Sequence, residues 1–255
     1  VVDQFKAVIF DVDGTLAETE RDGHRIAFNQ AFLEMGFDWV WNEAFYGDLL
    51  AVAGGKERLY YYFRHFNPSF SYLGPIEALV EEVYDVKTRH YVALLKADGI
   101  TLRSGVLRLM TEIRAAGLRM AIATASSTEN VTTLITTTLG FEALGWFEVI
   151  ATGDLVLEKK PSPDIFHYCL AGLNLSAEHC LVIEDSENGV KSAIAAGIPT
   201  VVTFNDYTKG DDFTGALSVF NQLGDPSDAC QQSEGFAISG SYVTINDLKV
   251  LHARQ

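Results

Sequence analysis

Lys6-Ala-Val-Ile-Phe10, followed at once by Asp11-Val-Asp-Gly-Thr15, decides how the rest of the chain is read. The first five residues carry no polar/apolar alternation, and the run stops abruptly at two carboxylates and a glycine. That is the pattern of a strand buried on both faces, whose carboxyl end opens into a loop. Working outward, the same design recurs at residues 119–125, 180–185 and 199–204, with helical spacing between, as at residues 106–116 and 190–196. Strand–helix alternation of this kind predicts an α/β fold with a Rossmann-like, mostly parallel sheet. The longest charge-free run, residues 192–205, contains Gly197 and Pro199 and reads as a helix end followed by a strand. No segment reaches the ~18 uninterrupted apolar residues of a membrane span.

One stretch breaks the alternation. Between residues 20 and 96 no strand pattern occurs, and apolar side chains follow helical spacing instead: Ile26, Ala27, Ala31 and Phe32 form one face, Ile76, Leu79, Val80, Val83 and Tyr84 another. The expected organisation is a core made of residues 1–19 and 97–255, with a helical unit at 20–96 inserted after the first strand. The insertion carries 8 basic and 11 acidic residues, a net −3, and the remainder carries −12.

With 19 Lys and Arg against 34 Asp and Glu, the 255 residues have a formal charge of −15. A surface this acidic speaks against binding nucleic acid or anionic lipid, both of which need basic patches. The 16 Phe, 10 Tyr and 3 Trp are far too much aromatic mass for a disordered chain. Cys169, Cys180 and Cys230 show neither a disulfide framework nor metal-ligand spacing, so ordinary thiols in a reducing compartment are expected. The cytoplasm is the expected location, or the plastid stroma if a leader preceded Val1; a monomer is expected.

Ligands of open α/β sheets bind beyond the carboxyl ends of the strands. There the sequence places Asp11, Asp13, Gly14 and Thr15; then Thr124-Ala125-Ser126; then the loop Lys159-Lys160-Pro-Ser-Pro163-Asp164; then Glu184-Asp185. Carboxylates, a hydroxyl and a lysine suit magnesium and phosphoryl transfer. Mg²⁺ takes about six oxygen ligands, few of them carboxylates, and Asp11 and Asp185 can supply that pair, with Glu184 as ligand or support. Asp11 can attack phosphorus to form an aspartyl-phosphate. Ser126-x-x-Glu129 reads as a capping box that puts a helix N-terminus beside Thr124, ready to hold phosphate. Each piece alone has a plainer reading: Asp-x-Asp-Gly as a turn, Lys-Pro-x-Pro-Asp as a helix start, Glu-Asp as a capped helix. The glycine sits too early for an EF-hand loop.

Together these four segments resemble the motifs of the haloacid dehalogenase superfamily of phosphohydrolases, over essentially the whole chain. The resemblance implies in-line attack by Asp11 and acid–base work by Asp13. It implies phosphoryl binding by Thr124 and Lys160, and Mg²⁺ held by Asp11, the Asp13 carbonyl and Asp185, with Glu184 beside them. The insertion then corresponds to a helical cap.

Within the insertion, Glu20 could meet a sugar hydroxyl, and His24 and Arg25 follow it. Gly54-Gly55-Lys56-Glu-Arg58 offers a glycine-opened segment with two cations for a second phosphate; it lacks the spacing of a Walker A loop. Lys87-Thr88-Arg89-His90 adds further cations on the last long helix. These segments are similar to the CbbY subgroup of the superfamily, whose implied substrate is a phosphorylated sugar, xylulose 1,5-bisphosphate. Two other outcomes stand beside hydrolysis. One is a β-phosphoglucomutase-like phosphomutase. The other is a non-catalytic phospho-accepting domain of the receiver type, although those are far shorter and order their motifs differently.

Overall fold

The structure, a computed structural model, describes residues 4–97 and 99–254. Strand β1 (Ala7–Phe10) leads through a π-helical turn at Glu20–His24 into α1 (Arg25–Glu34), α2 (Glu43–Leu49), α3 (Gly55–His65) and α4 (Ile76–Ala97). The chain then runs α5 (Val106–Ala115), β2 (Arg119–Ala123), α6 (Thr128–Leu139), β3 (Val149–Ala151), α7 (Asp164–Leu173), β4 (Cys180–Glu184) and α8 (Glu187–Ala195). It closes with β5 (Thr200–Thr203), β6 (Ser218–Phe220), β7 (Gln232–Gly235) and α9 (Ile245–His252).

The seven strands form one sheet in the order β3-β2-β1-β4-β5-β6-β7, parallel except for the antiparallel edge strand β7. Strand β1 is fully buried, and its side chains split by parity as a pleated strand requires. Val8 and Phe10 pack with Leu109 and Ile113 of α5, Leu134 of α6 and Leu248 of α9. Ala7 and Ile9 pack on the opposite face with Phe166 and Leu173 of α7 and Ala193 of α8. The chain leaves β1 toward β2 on one side and returns to β4 on the other, so the sheet's switch point lies between β1 and β4. That is where open α/β sheets leave a crevice for ligands.

Helices α1–α4 carry an aromatic core of their own, centred on Phe28, Phe32, Trp41, Tyr46, Tyr62 and Phe63, with Leu79, Val80 and Val83 of α4. Both amide groups of the Asn29 side chain bond the backbone of Trp41, which pins the connection between α1 and α2. At their lower ends Ala27, Tyr91 and Leu95 join the sheet's core instead, so the insertion is rooted in the sheet. The stretch expected to lack strands has none. Three strands had no clear pattern: β3 and β6 have three residues each, and β7 (Gln-Ser-Glu-Gly) is exposed throughout. Among the described residues no helix is long and apolar enough to cross a membrane, and all three cysteines are free thiols.

Candidate active site

The strand ends bring the expected core residues together. Lys160 is the hub: its ammonium donates to Asp11 Oδ1 (2.7 Å), Glu184 Oε1 (2.5 Å) and the carbonyl of Ala123 (2.9 Å). It is 7% exposed and the two acids 6% and 0%, so these bonds form away from bulk water, where they are strong. Burial works against the lysine's charge, but Asp11 and Glu184 outweigh it and hold the ammonium above its ordinary value. Glu184 is fully engaged behind the lysine. Its other oxygen accepts the N–H groups of Asp185 and Ser186 (2.8 and 3.1 Å) and the Ser186 hydroxyl (3.2 Å). Of the two adjacent acids, Asp185 is the one that lines the cavity.

Asp11, Glu184 and Asp185 place carboxylate oxygens within 4.8 Å of one another. Burial raises the Asp11 carboxyl well above the usual range; Lys160 lowers it only in part, and Glu184 and Asp13 push it up again. Burial also raises Asp185, reinforced by Glu184 and Asp11 and only partly offset by Arg103 and Lys160. Three buried carboxylates sharing one lysine leave an excess of negative charge. The same set of hard oxygen donors fits a divalent cation. Gly14 (φ +88°) makes room for the Asp185 carboxylate, because a Cβ there would lie 2.4 Å from Asp185 Oδ2.

Asp13, two residues on, has the opposite electrostatics. Its Oδ1 accepts from the Thr19 hydroxyl (2.6 Å) and lies 2.9 Å from His24 Nε2. Burial alone would raise its pKa, but the charge and hydrogen bond of His24, the Thr19 bond and the Lys87 charge hold it well below the ordinary range. His24 stacks on Tyr91 at 4.1 Å, and its Nδ1 meets Lys87 Nζ at 2.8 Å.

Thr124 is buried at the end of β2 and lines the cavity. Its hydroxyl accepts the N–H of Ser126 (3.1 Å). This small turn moves the helix start by one residue, so the N-cap of α6 is Ser127, which accepts from Asn130 N–H, and the capping box expected at Ser126 and Glu129 does not form. Ala125 and Ser126 remain on the cavity wall.

The insertion supplies the opposite wall. Glu20 accepts from the Tyr46 hydroxyl (2.6 Å) and faces both Arg58 Nη atoms at 3.4 Å, while Arg58 also donates to Tyr46 Oη (2.7 Å). Gly54, with φ +92°, is the N-cap of α3 rather than part of a longer loop. A Cβ on Gly55 would meet the Tyr84 ring at 2.6 Å, so only glycine lets α3 approach α4 here. Lys56, expected beside Arg58, is corrected by the structure: its ammonium sits on Glu81 (2.5 Å) and over the Tyr84 ring (5.2 Å), off the cavity. Residues two apart on a helix point to nearly opposite sides. For the same reason Arg89 points away from the side that Lys87 presents to the cavity; Arg89 and His90 bond Glu34 (2.8 and 2.7 Å). Thr88 is buried without a hydrogen-bond partner for its hydroxyl among the described residues, and it lines no part of the cavity they form.

Three further residues support the site without having been assigned a role in it from the sequence. Asn205, after β5, donates to Asp185 Oδ2 (2.7 Å), and Thr15 donates to Asp185 Oδ1 (3.2 Å). Arg103 ties together the ends of three strands, β1, β5 and β6, donating to the carbonyls of Gly14, Thr203 (2.7 Å), Phe204 (2.6 Å) and Asn221 (2.7 Å), with Glu18 on its Nε at 2.9 Å. Thr15 stood within the first motif; Asn205 and Arg103 are found only through the sheet order that collects their segments.

Among the described residues, the resulting cavity, about 570 Å³, is lined by seven carboxylates but only two cations, Arg58 and Lys160. A buried aspartate held by lysine, a second aspartate held ionised beside it, and an acidic cluster suited to a metal define a hydrolase centre. The chain belongs to the haloacid dehalogenase-like hydrolases, whose family model matches residues 5–197, and it is a phosphatase, a hydrolase of phosphoric monoesters. Its similar relatives include the plasmid-borne protein CbbY of Cupriavidus necator, 45% identical over 89% of each chain. Among solved structures, CbbY from Rhodobacter sphaeroides with phosphate is 41% identical over 86% of this chain and 94% of its own, at a TM-score of 0.78. A mutant of that CbbY in complex with xylulose-1,5-bisphosphate is 39% identical over 88% and 98%, at 0.80.

Proposed function

We propose that this chain is a Mg²⁺-dependent sugar-phosphate phosphatase that removes one phosphate from xylulose 1,5-bisphosphate. The observation that carries the reading is the buried Lys160–Asp11 contact in a cavity whose other lining cation is Arg58. Lys160 occupies Asp11 Oδ1 and leaves the other carboxylate oxygen for in-line attack on phosphorus. A carboxylate of raised pKa is the better nucleophile once ionised, and Mg²⁺ held by Asp11, the Asp13 carbonyl and Asp185 would favour that ionised form and offset the phosphoryl charge.

Attack by Asp11 breaks the bond to the ester oxygen, and a proton from Asp13 goes to the departing alkoxide. Asp13 is held ionised in the free protein, so that proton is taken up as the dianionic substrate arrives and raises its pKa. In the second half, water attacks the aspartyl-phosphate, Asp13 receives its proton, and Asp11 and inorganic phosphate are regenerated. Lys160 holds charge on the transferring oxygens, with Thr124 and the backbone at Ala125 and Ser126 beside them.

The helices between residues 20 and 96 act as the cap, closing Glu20 and Arg58 over the sugar and its second phosphate. Glu20, already on Arg58 and Tyr46, is placed to take a sugar hydroxyl. The bisphosphate is supported by the ligand of the similar Rhodobacter sphaeroides protein. Relatives at this identity are CbbY proteins, which favours hydrolysis over a phosphomutase. The test is phosphate release from a panel of sugar mono- and bisphosphates with Mg²⁺. Preference for xylulose 1,5-bisphosphate, abolished by chelator, is expected; turnover in excess chelator, or preference for an unrelated ester, refutes the assignment.

A further inference from the structure

Asn130, in the first turn of α6, belongs to none of the motifs described above, yet it lines the inner end of the active-site cavity. Its side chain is buried, with the residue 1% exposed, and neither the amide oxygen nor the amide nitrogen has a hydrogen-bond partner among the described residues. It faces a recess of about 40 Å³ that also touches Arg58, Lys87 and Tyr84 and shares Asp13, Glu20 and Ala125 with the main cavity. The recess is therefore an inward extension of the active site, roofed by the insertion. Helices α4 and α6 pack against each other, with Tyr84 of α4 on the recess wall beside Asn130.

An orphaned amide in such a place is costly, since a buried polar group without a partner loses its hydration for nothing. Leucine shares the same branched heavy-atom skeleton and would bury no unpaired polar atom, so the amide is explained by a group that enters from the cavity. The donor set narrows that group. A phosphate dianion would satisfy the NH₂ but face the amide oxygen with like partial charge. A hydroxyl donates to one and accepts from the other, satisfying both. The recess has room for such a group.

We propose that Asn130 reads a hydroxyl on the carbon chain of the substrate, away from the reacting phosphate, and so selects polyhydroxylated phosphate esters. This rests on the phosphatase reading above. The test compares kcat/KM on xylulose 1,5-bisphosphate and on 4-nitrophenyl phosphate, which has no aliphatic hydroxyl, for the wild type, Asn130→Leu and Asn130→Asp. The ratio of sugar to aryl activity is expected to fall about ten- to hundredfold in both variants, the loss of one to two hydrogen bonds. The melting temperature of Asn130→Leu is expected to hold or rise. Asn130→Asp keeps shape and acceptor, so it carries the test should the leucine variant fold poorly. An unchanged ratio in both variants overturns the inference and leaves the amide to packing or to water. A wild type active on the aryl ester but on no sugar phosphate overturns the phosphatase reading itself, and this inference with it.

Discussion

The two walls of the cavity are built by different rules. The sheet wall gathers Asp11, Thr124, Lys160 and Asp185 from segments scattered along the chain, each fixed by its place just past a strand end. The insertion wall gathers Glu20, Arg58 and Lys87 from helices, where direction depends on helical phase. On the sheet wall carboxylates outnumber the lysine, and Asp11 and Asp185 are raised in pKa. At the boundary Asp13 is lowered by His24, Thr19 and Lys87. Two aspartates two residues apart thus acquire opposite characters because one faces the acidic cluster and the other faces the helices. A nucleophile and an acid–base group need that separation.

The largest expected effect tests the sheet wall. Asp11→Asn should abolish turnover, a loss of at least about 10⁴-fold, with circular dichroism unchanged, because an amide cannot attack phosphorus. Near-normal phosphate release from that variant would sink the mechanism. Lys160→Met should follow, at about 10²–10³-fold in kcat, the usual loss for a preorganised charge at a transition state.

The metal sharpens the same wall. Asp185→Ala should raise the Mg²⁺ needed for half-maximal activity much more than Glu184→Gln, because only Asp185 lines the cavity. Mg²⁺ at about 100 times its dissociation constant should stabilise the wild type by about 2.7 kcal/mol, reversibly removed by chelator. Equal metal dependence in the two variants would place the ion elsewhere.

Across the cavity, Arg58→Ala should lower kcat/KM for the bisphosphate by about ten- to hundredfold and for a pentose monophosphate by much less. Lys56→Ala should change neither beyond about twofold, since its partner is the surface acid Glu81. Equal losses in the two variants would erase the distinction drawn between neighbours on α3.

The smallest effect concerns Lys87, whose pKa burial pulls down to about 8, with Glu20 and Asp13 offsetting only part of the shift. Its folded pKa lies below the ordinary lysine value of 10.5, so the folded chain binds fewer protons between those two values. Stability from this group is therefore lowest below about pH 8 and rises through that window. Lys87→Met should flatten the rise and add about 1–3 kcal/mol at pH 7, seen in denaturant unfolding at pH 7 and 9.5. A wild-type curve that falls over this window would contradict the burial argument.

Much of this molecule was legible before any coordinates. A parallel strand buried on both faces must be continuously apolar, so β1, β2, β4 and β5 and the loops after them announce themselves. Helical spacing marks the insertion by its lack of strands. Polar side chains left at the carboxyl ends of such strands have few roles other than ligand chemistry, which is why Asp11, Asp13, Thr124, Lys160 and Asp185 could be chosen from the chain alone. Short or exposed strands such as β3 and β7 leave no such trace. The tertiary structure alone decided which way side chains on the insertion point: Arg58 inward and Lys56 outward, Lys87 inward and Arg89 outward. It alone brought Asn205 to Asp185, Arg103 to the ends of three strands, and the unpartnered amide of Asn130 to the cavity's inner recess. Local patterns specify what a residue can do and which element carries it. Facing and partnership depend on helix phase and on how distant segments pack, and these are properties of the folded whole.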